Sequence, residues 1–358
     1  MMTLRLFSKG LPAIPTATTW YLTDLAESLG KQGLYTRQSP RKLKVLREHA
    51  LIESAVSSNR LEGVEIDQGR IGTVIFGQPL LRDRSEEEIS GYRTALQEIH
   101  ERRHDMTVSE TTILHLHRLV RGQIWDAGQY KTQDADIIER YPDGRERVRF
   151  RMVPATRTAE SIAELVRLWD ECLRERPVHP LVAMAAFNLD FLCIHPFRDG
   201  NGRVSRLLLL LQSYHLGCEV GCYISLERLI EQNKERYYET LEQSSQGWHE
   251  GRHDPWPLIN YLLFILKTAY REFEERVGQV RSPRGSKTEL VQAAIAAQAG
   301  PFHLADLQRQ CPGVSTDMIR RVLKDLRRAG QLTCLGRGPN AEWHKTDTWQ
   351  LGNTHING

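Results

Sequence analysis

The chain has 358 residues, with 48 Lys and Arg against 45 Asp and Glu, a net charge of +3, and six cysteines. That length exceeds one ordinary core and predicts two or three domains. A hydrophobic content of 40% beside 26% charged residues describes a globular protein, and the longest purely aliphatic run, Leu207 to Leu211, is far too short to span a membrane.

The opening residues Met1–Leu6 hold no apolar stretch of signal-peptide length, so a cytoplasmic location is expected. Cys172, Cys193, Cys218, Cys222, Cys311 and Cys334 are scattered, and reduced structural thiols are the expectation. His215, Cys218 and Cys222 lack a fourth ligand at finger spacing, which argues against zinc. Charge is unevenly spread: residues 281–346 carry eleven Lys and Arg against five Asp and Glu, so a basic C-terminal module follows a mildly acidic body.

In chain order, Pro, Gly and Thr punctuate residues 9–18. A helix is then predicted over Thr19–Leu34, and a second over 40–62 with Pro40 near its start and Gly63 just beyond its end. Ser85-Glu-Glu-Glu88 suits a helix N-terminus and opens a helix to about Arg103. Another runs from Thr107 to about Gly122. Alternation around Ala135–Ile138 and Val148–Val153, with Pro142-Asp143-Gly144 between them, predicts a β-hairpin. Helices resume at about 156–176, 180–194, 201–216, 225–246 and 255–279. Val280–Ser286 reads as a linker.

The stretch His195-Pro-Phe-Arg-Asp-Gly-Asn-Gly-Arg-Val-Ser-Arg206 concentrates the chemistry. Residues 180–194 are apolar nearly all round and predict a buried helix. Pro196 ends it, which leaves His195 at the mouth of a loop. A new helix starts near Asn201, so Gly200-Asn201-Gly202 places free N–H groups and a helix dipole on one spot, an anion site. Arg203 and Arg206 are three apart and near enough to share one polyphosphate. Asp199 is placed to meet phosphate through a divalent cation. His195 is placed to take a proton from a hydroxyl.

This run resembles the signature of Fic domain proteins, His-Pro-Phe-x-Asp/Glu-Gly-Asn-Gly-Arg-x-x-Arg, at every fixed position. The resemblance implies a Fic-fold helical bundle and a protein adenylyltransferase that moves AMP from ATP to a Tyr, Thr or Ser hydroxyl of target proteins and of itself. It implies His195 as the base and Phe197 as the loop's core anchor. It implies Asp199 as the Mg²⁺ ligand, Gly200, Asn201 and Gly202 as the anion hole, and Arg203 and Arg206 as phosphate ligands. Gly200 and Gly202 separate the chain from a kinase-like branch with Ala and Lys there. Thr112–Leu119 and Asp126–Lys131 resemble the opening of the Fic core. The hairpin at 131–152 then falls where the family has a flap that docks the target segment. Tyr238 with Tyr237 and Asn233 resembles positions near the adenine.

Ser58-Asn-Arg-Leu-Glu62-Gly63 is similar to the family's inhibitory motif. The resemblance implies that Glu62 pairs with Arg206 and leaves bound ATP out of line. The expected division is 1–105 carrying the inhibitory motif, 106–280 the catalytic core, 281–286 the linker and 287–358 a further domain.

In that last domain, helix, short helix Leu304–Gln310, turn, helix Ser315–Ala329 and two short strands resemble a winged helix. Arg320, Arg321, Lys324, Arg327 and Arg328 lie mostly outward, which suits either DNA phosphates or a protein-docking role. Two other readings stand beside adenylyl transfer: a DNA-binding regulator with a nucleotide-sensing body, and an enzyme that also removes AMP. Homodimerisation is left open.

Overall fold

The computed structural model describes the chain apart from residues 11–12, 37–39, 65–66, 68–69, 72–73, 75–80, 82, 135, 141–145, 280–285, 297, 299, 312–313, 337, 339–340, 347 and 350–358. The expected hairpin turn at Pro142–Gly144 and most of the 281–286 linker therefore lie outside the described residues. The structure is mainly helical with two small antiparallel sheets. No helix among the described residues is long and apolar enough to cross a membrane. Buried apolar side chains form two separate clusters, one running from Met2 to Val277 and the other from Val291 to Leu332.

The larger cluster is built from α1 (Thr3–Lys9), α2 (Thr16–Thr36), α3 (Pro40–Leu61), α4 (Arg84–Arg102), α5 (Glu110–Arg121), β1 (Asp136–Arg140) and β2 (Glu146–Arg151). It continues through α6 (Thr158–Glu175), α7 (Pro180–Ile194), α8 (Asn201–His215), α9 (Leu226–Gln232), α10 (Lys234–Ser245) and α11 (Trp256–Gln279). Helix α7 is its axis. Every residue from Leu181 to Ile194 is buried, because α1, α6, α8, α10 and α11 pack round it. A helix apolar on all sides has no solvent face to present, so it must be central.

Four details depart from the sequence reading, each for a local reason. Helix α5 begins at Glu110 rather than Thr107 because the Ser109 hydroxyl accepts from Thr112 N and caps it. Helix α4 is capped by Asp83, which accepts from Glu86 N, rather than opening at Ser85. The single helix expected over 225–246 is two. Asn233, at φ −122° and ψ 30°, breaks it, and its amide donates to Leu229 O at 2.9 Å.

Helix α1 is the fourth departure, and it was not foreseen. Its N-terminus has no side-chain cap of its own. The buried carboxylate of Asp190 on α7 accepts from Thr3 N at 2.8 Å, Thr3 Oγ1 at 2.8 Å and Leu4 N at 3.0 Å instead. Trp248 Nε1 adds a further donor at 2.7 Å, so the carboxylate is fully engaged.

Strands β1 and β2 pair antiparallel from Asp136 opposite Arg151 to Arg140 opposite Glu146, with a register shift between Ile137 and Ile138. Arg149, in the shifted stretch, reaches Glu242 on α10 at 2.6 Å, and His249 Nε2 donates to Arg151 O at 2.6 Å. The hairpin is thereby tied at its base to the helical body.

The second cluster comprises α12 (Ser286–Ala296), β3 (Phe302–His303), α13 (Leu304–Gln310), α14 (Thr316–Arg328), β4 (Leu332–Leu335) and β5 (Glu342–Lys345). Its sheet has the order β3-β5-β4. The short strand β3 is an addition to the sequence expectation.

Gly91 on α4 lets that helix lie against α5. A Cβ there would stand 2.0 Å from the Leu119 carbonyl oxygen, a backbone atom that cannot step aside. Gly91→Ala is expected to cost about 2 kcal/mol or more of stability through overpacking, read as a lowered thermal midpoint. An unchanged midpoint would contradict this packing.

Candidate active site

The site forms where α7 ends and α8 begins. His195 caps α7 in the left-handed region, at φ 52° and ψ 63°, its N–H donating to Phe191 O at 3.0 Å. It is one of two described non-glycine residues at positive φ, a conformation held only where surroundings impose it. Lys131 helps impose it. Its backbone N–H donates to Pro196 O at 2.9 Å, and its ammonium donates to His195 O at 2.8 Å and Ile194 O at 3.2 Å. These last carbonyls of α7 have no intrahelical partner.

The loop is closed from within. Asn201 Oδ1 accepts from Phe197 N at 2.9 Å, and its amide donates to Phe197 O at 2.8 Å. The Asn201 side chain is thus a staple, and only its backbone is available to an anion. Phe197 is buried and its ring stacks on His117, with centroids 3.7 Å apart and planes 4° from parallel. His117 Nδ1 accepts from Gly128 N at 2.9 Å, so Nε2 carries the hydrogen it donates to Asp199 O at 3.1 Å. Gly200 follows at φ 85°, with the Arg121 and His117 side chains about where a Cβ would press.

The two motif arginines have separate surroundings. Arg206 is buried, and its Nε donates to Ser58 Oγ at 2.8 Å while Nη2 donates to Ser58 O at 2.9 Å and Glu62 Oε1 at 2.8 Å. Glu62 lies just past the end of α3, and its carboxylate fills the space Gly202 leaves open: a Cβ on Gly202 would stand 2.2 Å from Glu62 Oε1. A carboxylate therefore occupies the first turn of α8, where dipole and free N–H groups attract negative charge. Tyr238, expected near an adenine, donates its hydroxyl to Leu61 O at 3.0 Å and so lies beside this same corner.

Arg203 does not share a face with Arg206 as a free cation. It is 1% exposed, with Nη1 2.8 Å from Glu88 Oε2 and 3.3 Å from Asn59 Oδ1. Glu88 also reaches Arg121 Nη1 at 3.3 Å and Arg84 Nε at 2.9 Å. Its negative charge lies against the side chain that spacing and the resemblance both assign to phosphate.

Asp199 belongs to the same lattice. Its Oδ2 accepts from Arg121 at 2.5 Å and from Arg84 at 3.3 Å, its Oδ1 from Gly200 N at 2.6 Å and Arg203 at 3.5 Å. Burial works to raise its pKa, and Arg121, Arg203, the Gly200 N–H and Arg84 outweigh that and lower it. A cleft of about 350 Å³ opens on this side, walled by Arg84, Arg121, Trp125, Asp126, Arg198 and Asp199. No cluster of three or more His, Cys, Asp or Glu suited to a metal exists among the described residues. Asp199 is the sequence-predicted metal ligand, and it stands on this cleft with both oxygens accepting from the surrounding arginines and the Gly200 N–H.

Burial lowers His195 to about 4, the bond with the Leu192 carbonyl partly opposing it. The imidazole is neutral at physiological pH. Leu192 O, 3.3 Å from Nδ1, can only accept, so the lone pair is on Nε2, which has no bonded partner among the described residues.

A family model described as "Fic/DOC family" matches residues 107–213. Residues 107–213 are thus similar to the Fic/DOC family. Solved structures resemble more of it. A Fic family protein from Desulfovibrio desulfuricans aligns with TM-score 0.59 and 23% identity over 95% of this chain and 99% of its own. A Fic domain containing signaling protein from Bacteroides thetaiotaomicron aligns with TM-score 0.60 and 20% identity over 72% and 99%. Fic-1 (residues 134–508) from C. elegans aligns with TM-score 0.54 and 20% identity over 73% and 72%. At these identities the likeness is one of fold, and it reaches well beyond residues 107–213.

Glu88, Arg121, His117, Lys131 and Asn59 were not singled out from sequence. Three of them had a signal. His117 and Arg121 occupy the buried stripe of α5 with Ile113, Leu116 and Val120, and Glu88 occupies that of α4 beside Ile89 and Tyr92. A polar side chain on an apolar stripe must find a partner inside.

Glu88→Gln leaves Arg203 and Arg121 without their shared buried anion. A loss of about 3 kcal/mol or more is expected, measured by chemical denaturation; a loss under 1 kcal/mol would show that the lattice is not anchored there. Burial also lowers His100, His117 and His253 to about 4, as it does His195. The unfolded chain then binds more protons between pH 6.5 and 4, so stability falls as pH drops through that window. Thermal midpoints taken across it should decline steadily, and a flat profile would be incompatible with neutral buried imidazoles.

Proposed function

We propose that the protein transfers AMP from ATP to a hydroxyl of a protein, and that Glu62 holds this activity down. The observation carrying the reading is the juxtaposition at the start of α8. A neutral imidazole at the end of α7 faces a glycine-lined helix N-terminus whose buried Arg206 is already engaged by an internal carboxylate. The Fic/DOC domain supports nucleotide transfer as the general class.

The chain's residues divide the work by their surroundings. His195 Nε2 takes the proton of the target Tyr, Thr or Ser hydroxyl as its oxygen attacks the α-phosphorus. The bond from that phosphorus to the bridging oxygen breaks, and pyrophosphate leaves with the electron pair. The backbone at Asn201 and Gly202 offers N–H groups to the phosphates, the Gly200 N–H being held by Asp199 Oδ1, and Arg206 offers its guanidinium. Mg²⁺ held by Asp199 would offset charge on the phosphates. Arg203, held by Glu88, positions the loop rather than meeting the nucleotide. Hairpin β1–β2 supplies a strand edge for the target segment, and Tyr238 borders the nucleotide pocket.

The inhibition is competition for one cation. Glu62 occupies Arg206 and the space over Gly202, so a triphosphate bound with Glu62 in place lacks its guanidinium and holds its α-phosphorus out of line. Ser58 holds Arg206 through a bond separate from the one to Glu62. Residues 1–105, 106–280 and 287–358 then serve as brake-bearing extension, catalytic core and winged-helix appendage.

Glu62→Gly is expected to raise self-labelling from ATP carrying a labelled α-phosphate by at least ~10-fold, given the cost of a buried pair. His195→Ala in that background should return it to baseline. Equal labelling by the wild type and Glu62→Gly would remove the brake; persistent labelling without His195 would remove the base.

A further inference from the structure

Helix α14 carries its five cations away from its buried face. Ser315 Oγ caps it by accepting from Met318 N at 3.3 Å. Ile319, Val322, Leu323 and Leu326 are buried and fix its inward face. Arg320, Arg321, Lys324, Arg327 and Arg328 are all exposed on the remainder. Arg320 and Arg328 lie 3.4 and 3.7 Å from Asp317 and Asp325, exposed pairs that neutralise little. Arg321, Lys324 and Arg327 have no carboxylate within ion-pair distance among the described residues. At about 100° per residue they spread over roughly a third of the helix circumference, directly opposite the buried stripe.

We propose that this face of α14 docks in the major groove of duplex DNA, an activity separate from AMP transfer. Three exclusions select that partner. A protein groove that takes a helix needs apolar anchors at i, i+3, i+4 and i+7; here every apolar residue at that spacing is buried in the helix's own domain. A membrane surface also needs a free apolar face, which α14 does not have. Duplex RNA has a major groove too deep and narrow for such entry. B-form DNA offers a groove about 12 Å wide, which matches a helix about 10–12 Å across with its side chains. Its phosphates supply the charge that the unpaired cations lack. The domain's helices and three-stranded sheet, in the order of a winged helix, leave α14 open on that side.

The test uses the full chain without nucleotide, so it fails or succeeds independently of adenylyl transfer. Fluorescence anisotropy would follow a fluorescein-labelled DNA duplex of about 24 base pairs, a little over two turns, across a salt series starting near 50 mM. Expected is binding whose logarithm falls linearly with log salt. In the Arg321→Ala/Lys324→Ala/Arg327→Ala variant the slope should be shallower by nearly 3, about 0.9 per lost phosphate contact, and the affinity at least ~10-fold weaker. These side chains are exposed, and an unchanged thermal midpoint would confirm the fold. Absence of wild-type binding at the lowest salt, an unaltered slope in the triple variant, or equal affinity for single-stranded DNA or an RNA duplex of that length would each overturn the proposal.

Discussion

A guanidinium sealed inside a protein must have an anion beside it, and Arg206 obtains one from its own chain. With Glu62 at 2.8 Å and two Ser58 oxygens within 3 Å, the pair is complete without ligand. The same carboxylate lies where Gly202 leaves a gap at the first turn of α8. Charge, dipole and free volume therefore converge on a single position that either an internal carboxylate or an external phosphate can fill. In the proposed reading, nucleotide binding, catalytic alignment and restraint are different occupancies of that position.

Around it stands a second ionic lattice with a different task. Glu88 gathers Arg203, Arg121 and Arg84, and Asp199 receives from the same three arginines. Lys131, Asn201 and the His117–Phe197 stack then pin the loop's carbonyls and ring. The loop's charges are satisfied internally, so its geometry exists before any ligand arrives. Such preorganisation is what gives oriented dipoles their effect on a transferring group. Arg203 and Arg206, three residues apart, thus have unlike surroundings, because one meets a glutamate 4% exposed and the other a glutamate 27% exposed.

Most of the fold was legible because its periodicities are strong. Residues 180–194 read as a buried helix from composition alone, and Pro196 marked its end; the structure places them at the centre of the bundle. The stripe of α14 and its Ser315 cap were equally plain. What escaped was whatever depended on a partner distant in sequence. Helix α1 has no local cap, and its N-terminus is satisfied by Asp190, far along the chain. The break at Asn233 depends on a side chain that turns back onto its own helix, an option local pattern does not announce.

The sequence by itself determined the chemistry on offer: an imidazole before a proline, a carboxylate, two glycines about an asparagine, and two arginines at fixed spacing. Local rules of helix start and stop are enough to bring those groups to one loop. Tertiary structure alone decided which charge meets which. Glu88 could claim Arg203, and Glu62 could reach Arg206, only once α3 and α4 had packed against α8. Coulomb energy depends on separation in space and on exclusion of water, and neither quantity is written in the order of residues.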